Sequence, residues 1–151
     1  MVLDGRNHVL IRNGAPFSGL SQMTLSFAWR GEGKGGDAGL VWLEGSFGVM
    51  LKGRGLEVML VTRNGKTHRI DAEYPSALNG AWHDFELVYD GNTGEATLAV
   101  DGRPLARRND LAGGLAIGRE GGGTIGTTTE RRVFSGAIDS LRIFNTVRPP
   151  S

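Results

Sequence analysis

Large apolar residues alternate with small or polar ones along much of the chain. In Met23-Thr24-Leu25-Ser26-Phe27-Ala28-Trp29 the odd positions are large and apolar and the even ones are small or polar. Successive side chains of a strand point to opposite faces, so this run predicts a strand with one buried face. Residues 83–89 repeat the pattern, with Phe85, Leu87 and Tyr89 on one face and Asp84, Glu86 and Val88 on the other. Asp90-Gly91-Asn92-Thr93-Gly94 turns the chain, residues 96–100 return it, and Asp101-Gly102 turns it again. An Asp-Gly pair suits the positive φ angles of a tight hairpin, so residues 82–105 predict an antiparallel meander. Upstream, residues 39–43 and 47–52 predict two short strands hinged at Glu44-Gly45-Ser46. Residues 56–62 and 66–71 predict a hairpin around Asn64-Gly65. Residues 72–81 read as a loop, 115–117 as a short strand, 118–126 as a glycine-rich loop and 135–144 as the last strand.

No window of eleven or more residues keeps a 3.6-residue period without a glycine in it. The pattern therefore predicts about ten to thirteen strands and no βαβ unit, which means an all-β antiparallel sandwich or barrel. Composition supports this. Glycine supplies 25 of the 151 residues, and each interior glycine costs a helix about 1 kcal/mol relative to alanine. The glycines follow no three-residue period, which excludes collagen. At this length one domain with its own core is expected.

Charge and cysteine count narrow the chemistry. Seventeen basic and sixteen acidic residues leave a net charge of +1, so no broad field favours nucleic acid or a membrane surface. No apolar run approaches the ~18 residues of a membrane span. With no cysteine, disulfides, zinc–thiolate sites and thiol nucleophiles are excluded. No signal-peptide pattern opens the chain, and Arg148-Pro149-Pro150-Ser151 reads as the start of a linker or tail. The expectation is one module, residues 1–147, within a larger protein.

Catalytic motifs fail in turn. Gly31-x-Gly33-x-x-Gly36 and Gly121-x-Gly123-x-x-Gly126 lack the following helix whose free N–H groups would face a pyrophosphate. His8, His68 and His83 accompany no Gly-x-Ser-x-Gly elbow and no His-Glu-x-x-His pair. Asp84 and Glu86 share a strand face at the spacing of a carboxylate pair, but their alternation with Phe85 and Leu87 fits a solvated outer face. Trp29 and Trp82 read as core. Trp42 and Tyr74 are the more open aromatics, and Arg63, His68 and Arg69 are polar neighbours that could bond sugar hydroxyls. These five residues form the candidate ligand set.

The order of several segments carries a family resemblance. Gly80-Ala81-Trp82-His83-Asp84-Phe85-Glu86-Leu87-Val88-Tyr89-Asp90-Gly91 leads to Leu98-Ala99-Val100-Asp101-Gly102. Phe134-Ser135-Gly136-Ala137-Ile138-Asp139-Ser140-Leu141-Arg142-Ile143-Phe144 follows, and Leu3-Asp4-Gly5-Arg6-Asn7-His8-Val9 opens the chain. This succession resembles laminin-G-like domains of the concanavalin A-like lectin/glucanase superfamily. The resemblance implies a jelly roll of two packed sheets with the N- and C-terminal strands side by side. It places Trp29 and Trp82 on core positions. It also implies a structural calcium ion held by Asp139 and by Asp4 of the partner strand, with backbone carbonyls completing the 6–8 oxygens that calcium takes. The Glu-x-Asp-x-x-Glu strand of the glucanase branch is absent. The resemblance thus implies a non-catalytic binding or adhesion module, monomeric within its parent chain, extracellular or at the cell surface, with a glycan or an extracellular protein as partner. A structural spacer or protein–protein domain is the alternative, and a glycan hydrolase or lyase a third reading.

Overall fold

The computed structural model describes residues 2–4, 9–11, 19–32, 37–118, 123–127 and 134–147, with the backbone alone for 2–4, 9–11 and 32. Twelve strands occur among these residues. They are β1 (Val2–Asp4), β2 (Val9–Ile11), β3 (Gln22–Glu32), β4 (Ala38–Leu43), β5 (Phe47–Lys52), β6 (Gly55–Val61), β7 (Thr67–Glu73), β8 (Asn79–Asp90), β9 (Glu95–Val100), β10 (Arg103–Arg108), β11 (Gly123–Ile125) and β12 (Ser135–Phe144). They form two six-stranded sheets, ordered β1-β12-β3-β8-β9-β10 and β2-β11-β4-β5-β6-β7. Every pairing is antiparallel, and β1 lies beside β12 as the jelly-roll expectation requires.

The period of two explains the core. Leu25 of β3 lies opposite Leu87 of β8, which lies opposite Leu98 of β9, and all three are fully buried. Phe27, Phe85 and Val100 form the next row, with the two phenylalanine rings stacked at 4.7 Å. The facing sheet offers Val41, Val49, Val58 and Ile70 in one row and Leu43, Phe47 and Leu60 in the next. Large residues from both inner faces pack into one cluster. The polar groups of its buried Trp29 and Tyr89 are satisfied, as burial demands. Trp29 Nε1 donates to the Ala77 carbonyl at 2.9 Å. The Tyr89 hydroxyl donates to Leu111 O at 2.7 Å and accepts from Gly114 N at 3.0 Å.

The predicted turns form with the expected geometry. Asp101 and Gly102 both take positive φ, 52° and 76°, between β9 and β10, as a two-residue hairpin that follows strand twist requires. Three segments depart from expectation. The loop read at 72–81 shrinks to residues 74–78, because a bulge lets the long β3 continue pairing until Glu32 meets Asn79. Residues 115–117 form no strand; they join the sheet through a single bridge from Leu115 to Thr62. The glycine-rich stretch 118–126 contains β11, which inserts between β2 and β4 and is too short for alternation to signal. Gly33, Gly36 and Gly121 of the two glycine motifs, His8, and the tail from residue 148 lie outside the described residues.

Leu87 sits at the centre of the core, and replacing it with alanine leaves a cavity that the sandwich cannot collapse around. Leu87→Ala is expected to cost about 2–5 kcal/mol, seen as a lower urea midpoint at unchanged slope. Val88→Ala, one residue along on the outer face, should cost well under that.

Candidate functional site

The five candidate ligand residues do not form one site. Trp42 and Arg69 share a row on the outer face of the second sheet, Trp42–Gly48–Met59–Arg69, but three strand spacings, roughly 14 Å, separate them. The Trp42 ring lies over Gly48, and its Nε1 donates to Glu44 Oε2 at 2.8 Å. Arg69 donates to buried Glu57 Oε1 at 2.8 Å, while Lys52 Nζ lies 3.2 Å from Oε2. Burial alone would raise the Glu57 pKa. The hydrogen bonds and positive charges of Arg69 and Lys52 outweigh it and hold the carboxyl below its usual range. Arg63 braces a neighbouring segment, donating to Gly19 O at 2.8 Å and Ser21 Oγ at 3.2 Å. His68 ends an inner row, with Nε2 3.2 Å from Thr62 Oγ1. Burial is the largest cause of its lowered pKa, and the charge of Arg108 acts in the same direction.

Tyr74 belongs to a different arrangement. Its hydroxyl donates to Asp101 Oδ2 at 2.6 Å, and His83 Nδ1 lies 2.8 Å from the same oxygen. Asp101 Oδ1 accepts the backbone N–H of Asp84 at 2.8 Å, and His83 Nε2 lies 2.9 Å from Asn79 Oδ1. Tyr74 and His83 also pack against buried Trp29. Asp101 thus ties the β9–β10 turn to the 74–78 turn and to β8. The hydrogen bond to Asp101, then burial, pushes the Tyr74 pKa up to about 12. Burial would raise that of Asp101, but the donors around it hold it below 3.8. The residue is structural, and Tyr74 with it.

The outer face of the first sheet carries a groove of about 560 Å3. Its floor is small: Ser26 and Ala28 of β3, Thr97 and Ala99 of β9. Asp84 and Glu86 of β8 and Arg142 of β12 rise from it. Sheet register sets their places. Arg142, Ser26, Glu86 and Ala99 stand in one row, and Asp139, Ala28 and Asp84 in the next. A bulge between Asp139 and Arg142 inserts one extra residue, with Ser140 at φ 56°. At one end Thr24 Oγ1 donates to Thr146 O at 2.8 Å, which brings Val147 to the groove wall. At the other end Trp82 stands 46% exposed, with the Arg30 guanidinium 5.3 Å from its ring centroid. This overturns the core placement of Trp82. Its position is in phase with Asp84 and Glu86, so the alternation that buries Phe85 turns Trp82 outward. His83 takes the inward position instead, 6% exposed.

Among the described residues, the side chains of Asp84, Glu86, Arg142, Ser26 and Thr97 make no hydrogen bond or ion pair. Free acceptors, a free guanidinium and hydroxyls therefore converge on a concavity beside an exposed aromatic face. That combination can hold a hydroxyl-rich ligand.

A laminin-G-type profile, described as the concanavalin A-like lectin/glucanases superfamily, matches residues 3–151. The chain belongs to this superfamily. Solved structures share the superfamily fold. The binding domain of Paraclostridial Mosquitocidal Protein 1 superposes with a TM-score of 0.77 at 14% identity, over 97% of this chain and 40% of that one. The Ruminococcus gnavus IT-sialidase CBM40 bound to α2,3-sialyllactose gives 0.69 at 15% identity, over 89% and 82%. The heptameric SAP-like pentraxin of Limulus polyphemus gives 0.67 at 15%, over 98% and 76%. The chain thus spans well under half of the first of these. No curated protein matches the sequence significantly.

For this superfamily member the implied calcium pair does not converge. Asp4 lies opposite Ser135, four residues along β12 from Asp139, or about 13 Å of strand. Asp139 is exposed on the outer face and its Oδ1 accepts the Ser140 N–H at 2.8 Å. The register brings Asp139 toward Asp84 across Ala28 rather than toward Asp4. Among the described residues no group of three or more His, Asp or Glu could hold a metal ion.

Two predictions follow from the side-chain geometry. A Cβ at Gly48 would stand 2.2 Å from the Trp42 ring, so Gly48→Ala must displace the indole and should cost about 1–3 kcal/mol with a change in Trp42 fluorescence. Stability should also have two pH limbs. Asp101 is lowered in the folded state, so its contribution is complete above 3.8 and disappears as pH falls through the lowered value. Tyr74 is raised, so its contribution is complete below 10.0 and disappears as pH rises toward about 12. Melting curves of Asp101→Asn should flatten the acid limb, and those of Tyr74→Phe the alkaline one.

Proposed function

We propose that the chain is a non-catalytic glycan-binding module that holds its ligand in the groove across β12, β3, β8 and β9. The observation that carries this reading is the convergence of unpartnered polar side chains, Asp84, Glu86, Arg142, Ser26 and Thr97, on a sugar-sized groove next to exposed Trp82. Carboxylates accept hydrogen bonds from vicinal hydroxyls, the guanidinium donates to ring and hydroxyl oxygens, and the indole offers a face for the C–H side of a pyranose. The small floor lets the ligand approach the sheet. Superfamily membership supports the reading, as does the bound sialyllactose of the Ruminococcus gnavus relative in fold. The module works at the cell surface or outside the cell, as part of a larger protein. Among the described residues, no helix is long and apolar enough to cross a membrane.

A glycan array, followed by calorimetry on its hits, tests this. Asp84→Ala and Glu86→Ala are each expected to weaken binding about tenfold or more, since a hydrogen bond to a charged group is worth about 1.5–3 kcal/mol, and Trp82→Ala is expected to weaken it severalfold or more by removing the stacking face. Their melting temperatures should stay near that of the parent, because all three side chains stand on the outer face. An array without hits, or hits insensitive to these variants, would overturn the site. Release of reducing ends from a bound glycan would overturn the non-catalytic assignment.

A further inference from the structure

We infer that the groove selects glycans by charge, admitting neutral and aminated sugars and turning away those that carry a carboxylate, such as sialic or uronic acids. The inference rests on the glycan-binding reading and names the ligand class for the same groove. It follows from how the sheet register distributes charge. Asp84 and Glu86 rise from adjacent outward positions of β8. Asp139 of β12 faces Asp84 across Ala28, two strand spacings or roughly 10 Å away. Any ligand laid over Ala28 therefore lies between two carboxylates and directly beside a third.

The described cations on this face do not fully compensate. Among the described residues Arg142 is the one basic residue lining the groove, and Glu86 stands across Ser26 from it. Arg30, two residues along β3 from Ala28, lays its guanidinium on the Trp82 ring. Among the described residues three carboxylates thus face two guanidinium groups, since stacking on Trp82 leaves the charge of Arg30 in place. A sugar carboxylate laid over Ala28 meets these three carboxylates against the two guanidinium groups within a Debye length, about 10 Å at 0.1 M ionic strength. Unpaired like charges are how a binding surface rejects a wrong ligand without losing contacts to the right one. An ammonium or a plain hydroxyl meets no such opposition, and the exposed carboxylates accept from either.

The test compares matched pairs on immobilised glycans: lactose against sialyllactose, and fully acetylated against fully deacetylated chitotriose. It uses the parent protein, Asp139→Asn and the double variant Asp84→Asn/Glu86→Gln. Asp139 lies beyond the groove lining, and asparagine keeps the acceptor for the Ser140 N–H. The parent is expected to bind lactose at least tenfold better than sialyllactose, and the deacetylated trimer at least as well as the acetylated one. Asp139→Asn should leave lactose and acetylated chitotriose unchanged while narrowing the sialyllactose gap severalfold, and the double variant should narrow it further. Raising ionic strength from about 0.01 M to about 1 M, where the screening length falls from ~30 to ~3 Å, should also close the gap. Sialyllactose bound as well as lactose, and lost in Trp82→Ala, overturns charge selection while leaving glycan binding intact. A preference insensitive to salt and to both neutralising variants overturns it too. Binding of neither member of either pair, together with a glycan array without hits, overturns the glycan-binding reading and this inference together.

Discussion

Everything in this domain depends on the commitment of alternate side chains to one shared interior. Each of the long strands turns its large apolar residues inward, and the two sheets close over them without disulfide support. The rows Leu25–Leu87–Leu98 and Val41–Val49–Val58–Ile70 are the two halves of that interior. A shift of one residue in any strand would expose its whole apolar set, so register is held by the core. The outer faces inherit their composition from the same rule. What is not needed for packing, namely Ser26, Ala28, Asp84, Glu86, Thr97 and Ala99, is lined up outside with equal precision.

Rigidity at the end of the groove comes from one carboxylate. Asp101 holds both the tight turn after β9 and the hydroxyl of Tyr74, and it caps the backbone of Asp84. The contacts reach through His83 and Trp29 into the core. Asp84 therefore projects from a backbone position bonded on both sides, since Asp101 N also donates to Asp84 O at 2.8 Å. A sheet face fastened this way is set in advance, and a preset surface lowers the ordering cost of any association.

Much of this was legible in the chain. The strands read at 23–29, 47–52, 83–89 and 135–144, the Asp-Gly turn and the adjacency of the terminal strands follow from alternation, turn chemistry and family resemblance. The site was less legible. Trp42, Arg63, His68, Arg69 and Tyr74 looked like open polar or aromatic positions. In the fold Arg63 is a brace, Tyr74 an anchor for Asp101, His68 an inner-row residue, and Trp42 and Arg69 stand far apart on the opposite sheet. A signal for Trp82 was present in its phase with Asp84 and Glu86, and the family placement obscured it.

Along the regular strands the sequence by itself determined which residues face in and which face out, because that choice is local and repeats every two residues. It also determined the all-β antiparallel class, and the family resemblance chose the jelly roll from the sandwich or barrel that alternation leaves open. Only the tertiary structure decided which outward residues meet. The order β12-β3-β8-β9 joins segments more than a hundred residues apart, and a one-residue bulge at Ser140 sets where Asp139 and Arg142 stand against Ala28 and Ser26. Strand order and bulges are properties of the whole sheet, and a local pattern carries no record of its neighbours.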